Sequence, residues 1–205
     1  MVVALAVMCL PCMAAWAAEI VPSSYTAPPG EVGAYTYYDD TGSQLTDGLH
    51  GAPWSGEPGW AGDDPYPWVA WDSHPVTITF YFDRVCTLSS IQVFTGRSDG
   101  PSMFMPNRIT LAMGSTQSDL TVRGAWTFEN SDYSDACRHT LTMDVGAQAG
   151  TVAQLTIEPT ARWIFLDEVD FYDQPVPEPS GLLALLCSLG GLGGMVWYRT
   201  REHTR

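Results

Sequence analysis

The sequence predicts an all-β protein: a jelly-roll β-sandwich between an N-terminal signal peptide and one C-terminal transmembrane helix. Short runs rich in Val, Ile, Thr, Phe, Tyr and Trp recur along the middle of the chain. Several alternate between apolar and polar residues, as from Val76 to Phe82. Turn-forming clusters of Gly, Pro, Asp and Ser, such as residues 98–101, separate these runs. No stretch between the terminal segments keeps a helical period for three turns, which favours a sandwich over a βαβ fold.

Eight of these runs are predicted to be strands, and their spacing along the chain is irregular. No internal repeat relates them, so the pattern favours one β-sandwich or jelly roll rather than an array of repeated units. The predicted strands are residues 34–38, 76–82, 89–95, 107–113, 121–128, 138–144, 152–158 and 163–172.

Residues 1–18 are predicted to be a secretory signal peptide. An apolar run extends from Val2 to Leu10, and Ala15-Trp16-Ala17 supplies the small-x-small pattern that precedes a cleavage site. Glu19 then opens the mature chain. We therefore expect the protein to be exported through the inner membrane.

Residues 19–175 have the length of one domain, with its core expected within residues 33–173. The whole chain carries a net charge of −14, and it contains no lysine. So acidic a surface argues against nucleic acid and anionic polymers as partners. It is compatible with divalent cations and neutral sugars.

Two cysteines, Cys86 and Cys137, fall inside this domain. In an oxidising surface environment one disulfide between them would close a long loop. The alternative is a pair of buried thiols. The sequence leaves both open.

Residues 51–74 form a long loop that is rich in aromatic residues, Gly and Pro. Such a loop is either a binding surface or a segment packed by its own rings. Sugar rings stack on indoles, so Trp54, Trp60 and Arg97 are candidate sugar-binding residues. Tryptophans in β-sandwiches are more often buried than binding. Two others lie close to the next strand and are expected in the core: Trp68 and Trp71.

No catalytic residue is assigned, and we expect the protein not to be an enzyme. Glycoside hydrolysis requires two carboxylates at a defined separation, and nothing in the sequence fixes that separation. The chain has no Gly-x-Ser-x-Gly elbow, no metal-ligand spacing of His and Cys, and no phosphate-binding glycine loop. The carboxylates available for such a pair are Asp63, Asp64, Asp72, Asp167 and Glu168.

The two ends of the domain carry a further pattern. Leu45-Thr46-Asp47-Gly48 follows the first predicted strand, and Phe165 to Phe171 forms the last one, with Asp167-Glu168 inside it. Together with Trp71 to Phe82 and Leu88 to Val93, these segments resemble the discoidin-like, galactose-binding jelly rolls, whose relatives include the family 32 carbohydrate-binding modules.

In that family, a first-strand loop carrying Asp-Gly and an acidic residue of the final strand meet around a calcium ion. The resemblance implies a structural calcium bound by Asp47 and Glu168, with backbone carbonyls of residues 39–46 completing its shell. Without a metal, Asp47 would belong to an ordinary Asp-Gly turn and Glu168 would be a solvated strand residue.

The last thirty residues, 176–205, have three parts in a fixed order. Val176-Pro177-Glu178-Pro179 precedes an apolar run at 181–198, and a basic tail follows at 199–205. The run is long enough for a helix of about 27 Å, close to the thickness of a bilayer core. This order resembles the PEP-CTERM sorting signal of Gram-negative bacteria, which implies cleavage by an exosortase. The alternative is an ordinary membrane anchor with a Pro-rich stalk.

These observations predict a jelly-roll domain that is anchored in the membrane only until its sorting signal is cut. It would then reach the cell surface or the extracellular matrix and bind exopolysaccharide or another glycan. The alternative is a purely structural surface protein whose aromatic residues all lie in the core.

Overall fold

A computed structural model describes residues 17–31, 36–60, 67–99, 102–133 and 136–173. Residues Ala17–Gln174 form one compact unit. The predicted sorting signal lies outside the described residues, as does the predicted signal peptide except for its last two residues. Within the described part of the chain, no helix is long and apolar enough to cross a membrane.

The described residues form eight β-strands and one short 3-10 turn, Asn130–Asp132. The all-β prediction is therefore confirmed for this part of the chain. The strands are β1 (Glu19–Ile20), β2 (Ser24–Thr26), β3 (Val69–Asp72), β4 (Val76–Arg97), β5 (Pro106–Gly114), β6 (Thr121–Thr127), β7 (Cys137–Pro159) and β8 (Trp163–Asp173).

Two long antiparallel strands, β4 and β7, pair along most of their length and build both layers of the sandwich. The pairing changes register between Tyr81 and Cys86, where the ladder bends. On one side of the bend β4 also pairs with β8, and on the other side β7 also pairs with β5. The hydrogen-bonded order is β1-β8-β4-β7-β5-β6, with β2 beside β4 and β3 beside β8.

The main core lies between these two layers. Phe171 of β8 packs against Phe80 and Phe82 of β4, with ring centroids 4.8 Å and 5.3 Å apart. β8 is hydrogen-bonded to the other half of β4, beyond the bend, so these ring contacts cross the interior. Every second residue from Val76 to Phe80 is buried, as the alternating sequence predicted.

The structure corrects the number of strands. Predicted strands 76–82 and 89–95 are two halves of β4, and 138–144 and 152–158 are two halves of β7. The turn-forming segment 146–150 bends the ladder without ending it, because residues 148–150 still pair with β4. Of the predicted strand 34–38, residues 34 and 35 lie outside the described part. The unpredicted strands β1, β2 and β3 are two to four residues long, too short to show a period.

A second apolar cluster covers the outer side of β3 and β8. Trp60 packs edge-on against Trp68 at 5.8 Å, and Phe165 packs edge-on against Tyr37 at 4.8 Å. The Trp68 indole N–H also donates to the Gly59 carbonyl at 2.9 Å. These contacts attach the loop before β3 to the sheet. The buried members of the second apolar cluster are Tyr37, Trp60, Trp68, Ala70, Met103, Trp163 and Phe165.

The two cysteines are thiols and are not joined to each other. Cys86 pairs with Gly150 at the bend of β4, whereas Cys137 pairs with Arg97 at the end of the same strand. Eleven residues of strand separate those positions, roughly 35 Å. A disulfide needs Cα atoms within about 7 Å, so of the two alternatives the structure has the pair of buried thiols.

Candidate functional site

One end of the sandwich brings together two of the predicted sugar-binding residues. Arg97 closes β4 and pairs with Cys137, which in turn forms an antiparallel bridge with Trp54. Paired residues of an antiparallel ladder project from the same face, so these three side chains form a row. Two strand spacings place Trp54 roughly 10 Å from Arg97. We call this row, Trp54, Cys137 and Arg97, the end face.

Trp54 is the exposed aromatic residue of the end face, with 57% of its surface in solvent. Its backbone is held against the start of β7. The Ser55 N–H donates to the Ala136 carbonyl at 3.0 Å, and the Arg138 N–H donates to the Pro53 carbonyl at 2.9 Å. An indole mounted in this way offers a flat apolar surface whose backbone position is already fixed.

Arg97 lies at the other end of the row and is buried. Its Nε–H donates to Asn130 Oδ1 at 3.2 Å, and one terminal nitrogen lies 3.0 Å from Asp99 Oδ1. Asn130 Oδ1 also accepts the Met105 N–H at 3.1 Å. The guanidinium is thus held in a fixed orientation. Its partner, the Asp99 carboxylate, is exposed to solvent at the surface. Carboxylate and guanidinium groups are the partners that sugar hydroxyls need.

Trp60, the third predicted sugar-binding residue, is not on the end face. It is only 2% exposed and lies in the second apolar cluster against Trp68. Gly51 runs so close to Trp68 that a Cβ at this position would lie 2.3 Å from the ring. Among the described tryptophans of the aromatic loop, three therefore pack inward and Trp54 stays exposed. Trp68 and Trp71 are fully buried, as expected.

A second candidate site lies where the Asp47-Gly48 turn meets β8. The Gly48 N–H donates to Glu168 Oε2 at 3.2 Å, and the Val169 N–H donates to the Leu45 carbonyl at 2.9 Å. Asp47 Oδ1 accepts the Leu49 N–H at 2.9 Å, as an Asp-Gly turn does. Both residues of the expected calcium site therefore belong to one junction between the two ends of the domain.

Several carboxylates crowd this junction. Glu168 is only 2% exposed, and burial, followed by repulsion from Asp170 and Asp47, raises its pKa to about 8. Burial likewise raises the pKa of Asp167 to about 6 and moves that of Asp170 upward. A bound cation would relieve this repulsion. In the described part of the chain no three His, Cys, Asp or Glu side chains form a metal-binding group. Backbone carbonyls would have to complete a calcium shell, as calcium chemistry allows.

The loop before this turn is shaped by Asp39, which the sequence did not single out. Asp39 Oδ1 accepts the Gly42 N–H at 2.8 Å and the Gln44 N–H at 3.4 Å. Its other oxygen accepts the Tyr25 hydroxyl, whose own oxygen accepts the Leu45 N–H at 3.1 Å. Gly42 has a φ of +70°, which glycine adopts without strain. An Asp three residues before a Gly was the available signal for this turn.

A polar network beneath the same loop was also missed. Asp167 Oδ2 accepts the Gly51 N–H at 2.7 Å and lies 3.5 Å from a terminal nitrogen of Arg138. The same Arg138 nitrogen donates to the Gly51 carbonyl at 2.7 Å, and the guanidinium lies over the Phe94 ring. The His50 ring also packs against the Phe94 ring, with ring centroids 4.5 Å apart. This network fixes His50 and Gly51, and Gly51 lies three residues before Trp54 in the chain.

Three of the carboxylates considered for glycoside hydrolysis are engaged in other contacts: Asp72, Asp167 and Glu168. Asp72 pairs in register with Trp163 and accepts from Arg162 Nε at 3.1 Å. Trp163 lies four residues before Asp167 along β8, roughly 13 Å. Retaining and inverting glycosidases separate their carboxylates by about 5 Å and about 6.5–9.5 Å. Asp63 and Asp64 lie outside the described residues.

No protein-family model and no curated protein matches this chain. Solved structures do match its fold. The C-terminal domain of a chitobiase from Bacteroides fragilis is 15% identical, with a TM-score of 0.52 over 78% of this chain and 99% of its own. A fucose-binding module from Streptococcus pneumoniae is 11% identical, with a TM-score of 0.52 over 77% and 98%.

A third structure is a family 32 carbohydrate-binding module from a family 31 glycoside hydrolase of Clostridium perfringens. It is 14% identical, with a TM-score of 0.51 over 76% of this chain and 95% of its own. Each of these domains is covered almost completely, so the likeness extends over a whole module. The described part of the chain has the β-sandwich fold of the family 32 carbohydrate-binding modules.

Proposed function

We propose that this protein is a non-catalytic carbohydrate-binding protein and that its glycan lies on the end face. The observation that carries the proposal is Trp54, whose indole is 57% exposed and whose backbone is hydrogen-bonded to the start of β7. Arg97 and Asp99 lie roughly 10 Å away along the same row. Two of the similar structures are named as sugar-binding or carbohydrate-binding modules.

The chemistry of the end face suits one sugar ring and its hydroxyls. The indole of Trp54 would stack on the apolar C–H face of a pyranose, where both surfaces leave water. The Arg97–Asp99 pair would donate to and accept from the hydroxyls at the other edge of the ring. The net charge of −14 favours a neutral polysaccharide over an anionic one.

The alternative function, a structural surface protein without a glycan, is favoured by a different observation. Trp60, Trp68 and Trp71 are all buried, and their rings stabilise the fold. In that case the exposure of Trp54 would be incidental, since single exposed apolar side chains are common on soluble proteins.

The calcium expectation becomes a proposal about fold stability. Glu168 and Asp47 would hold the ion, and carbonyls of residues 39–46 would complete its oxygen shell. The support is the meeting of the Asp47-Gly48 turn with Glu168 and the raised pKa of that buried carboxyl. Calcium would supply positive charge that balances the crowded carboxylates and ties both ends of the domain together.

The export route is a proposal that rests on sequence alone. After removal of the signal peptide, the apolar run at 181–198 would hold the protein in the membrane, and an exosortase would cut near Val176-Pro177-Glu178-Pro179. The product would then lie at the cell surface or outside the cell. Mass spectrometry of the mature protein tests this: a C-terminus near residue 178 is expected, whereas an intact basic tail would contradict it.

The glycan proposal is tested by binding of the purified protein to a glycan array and to the exopolysaccharide of its own host. We expect binding that Trp54→Ala abolishes. Val85→Ala is the matched control, because Val85 is an exposed apolar residue of β4 that lies twelve residues before Arg97 and outside the end face. Absence of binding to every glycan, or equal loss in both variants, would favour the structural alternative.

A further inference from the structure

We propose that Cys137 is a reactive thiol, activated by His139 and oxidised by hydroperoxides to a sulfenic acid. The two residues are neighbours on β7, two positions apart, so their side chains project from the same face of the strand. Cys137 Sγ lies 3.0 Å from His139 Nε2. An imidazole nitrogen at hydrogen-bonding distance from a thiol is the arrangement that generates a thiolate.

The pair lies at the start of β7, near the rim of the sandwich. Cys137 is the first residue of β7 and is 6% exposed, while the His139 side chain is half-buried. The neighbours of Cys137 on either side are Arg97 and the exposed Trp54. The sulfur therefore lies near the rim of the sandwich, where the proposal requires a small oxidant to reach it, whereas the residues that follow on the same face enter the main core.

Packing fixes the imidazole. The Tyr133 ring stands edge-on to His139, with centroids 5.0 Å apart and planes at 72°. His139 also pairs in register with Thr95 of β4, so the Thr95 side chain shares this face. Thr95 Oγ1 is fully buried and has no hydrogen-bond partner among the described residues. That hydroxyl would be available to bind an oxygen of the peroxide.

The other thiol shows what a structural cysteine in this fold looks like. Cys86 is 3% exposed, and its thiol donates to the Gly150 carbonyl at 3.4 Å. Burial, followed by repulsion from Asp173, raises the pKa of Cys86 to about 11. A carbonyl cannot take the thiol proton, so Cys86 stays protonated at neutral pH. The chain thus contains an internal control.

The reaction balances as follows. His139 Nε2 takes the proton of the Cys137 thiol, and the thiolate attacks the terminal oxygen of the hydroperoxide. The S–O bond forms as the O–O bond breaks, and the departing alkoxide takes the proton back from the imidazolium. The sulfur gives up two electrons to the peroxide, and the products are a sulfenic acid and an alcohol, or water when the oxidant is hydrogen peroxide. This proposal does not rest on the proposed function, although Cys137 lies between Trp54 and Arg97 on the end face.

The test measures both cysteines in one sample. The folded protein is treated with hydrogen peroxide and a sulfenic-acid trap, and in parallel with iodoacetamide, and adducts are assigned by mass spectrometry. Burial raises the pKa of Cys86 to about 11, so very little of that thiol is ionised at neutral pH, and Cys137, which has a base beside its sulfur, should react at least about tenfold faster.

The matched pair of variants is His139→Gln and His74→Gln. The first removes the base beside the sulfur, and we expect the rate at Cys137 to fall about tenfold. The second makes the same chemical change at an exposed histidine that contacts Glu31, and we expect no change in rate. Melting temperatures of both variants show whether a loss of rate reflects a damaged fold.

Equal rates at Cys137 and Cys86 would overturn the proposal, because both sulfurs would then react only through unfolding. An unchanged rate at Cys137 in a folded His139→Gln variant would also overturn it. If that variant does not fold, the ratio of the two cysteines in the unmodified protein still decides. Cys137→Ser, which should lose the adduct completely, verifies the assignment.

Discussion

Glu168→Gln is the substitution that examines the carboxylate junction most sharply. Glu168 is 2% exposed, accepts the Gly48 N–H, and has its pKa raised from 4.5 to about 8. In the absence of a cation, an acid whose pKa is higher in the folded than in the unfolded state weakens the fold as pH rises. That loss begins near pH 4.5 and is complete near pH 8.

The magnitude follows from the two pKa values. At 1.36 kcal/mol for each unit of pKa, the rise from 4.5 to about 8 corresponds to about 5 kcal/mol at most. The amide oxygen of the variant can still accept the Gly48 N–H. The main difference from the wild type is therefore that the substituted side chain does not ionise, so the variant avoids the cost of burying a charged carboxylate. We expect the variant in chelator to gain about 2–5 kcal/mol over the wild type at pH 8, and little at pH 5.

Urea unfolding at pH 5, 6.5 and 8 in chelator provides the measurement. The wild type should lose stability across this range, while Glu168→Gln should lose much less. Glu57→Gln, an exposed residue, serves as control and should leave the pH dependence unchanged. Parallel pH profiles for the wild type and Glu168→Gln would refute the reasoning, because they would show that Glu168 keeps the same pKa in both states.

Two other predictions concern the loop between β2 and β3. Calcium should raise the melting temperature of the wild type but not of Asp47→Ala, and an unchanged melting temperature in chelator would rule out the ion. Gly51→Ala should destabilise the fold by about 1–3 kcal/mol in urea unfolding, since its Cβ would lie 2.3 Å from the Trp68 ring. A neutral result would mean that the loop is not packed against Trp68.

The sequence predicted the class of the fold because alternation within a strand is a local property. Val76 to Phe82 shows that period, and its inward residues are buried. The length of β4 could not be predicted, because the bend near Tyr81 depends on pairing with β7, which is far away in sequence. Local patterns divided each long strand at its bend.

The candidate sugar site was predicted only in part, for a similar reason. Trp54 and Trp60 lie in the same Gly/Pro-rich segment, and the number of aromatic residues in that segment does not predict which ring faces outward. The bridge from Trp54 to Cys137 and the contact of Trp60 with Trp68 separate the two, and both are tertiary contacts. Residues that act through such contacts, including Asn130, gave no sequence signal.

The most direct test of the central claim is an NMR titration of the indole N–H signals with polysaccharide fragments. The chain has eight tryptophans, and Trp54→Phe assigns the signal of Trp54 by its disappearance. Binding at the end face predicts a saturable shift of the Trp54 signal while those of Trp60 and Trp68 stay in place. A protein in which no glycan moves the Trp54 signal, the host's own polymer included, would contradict the proposed function.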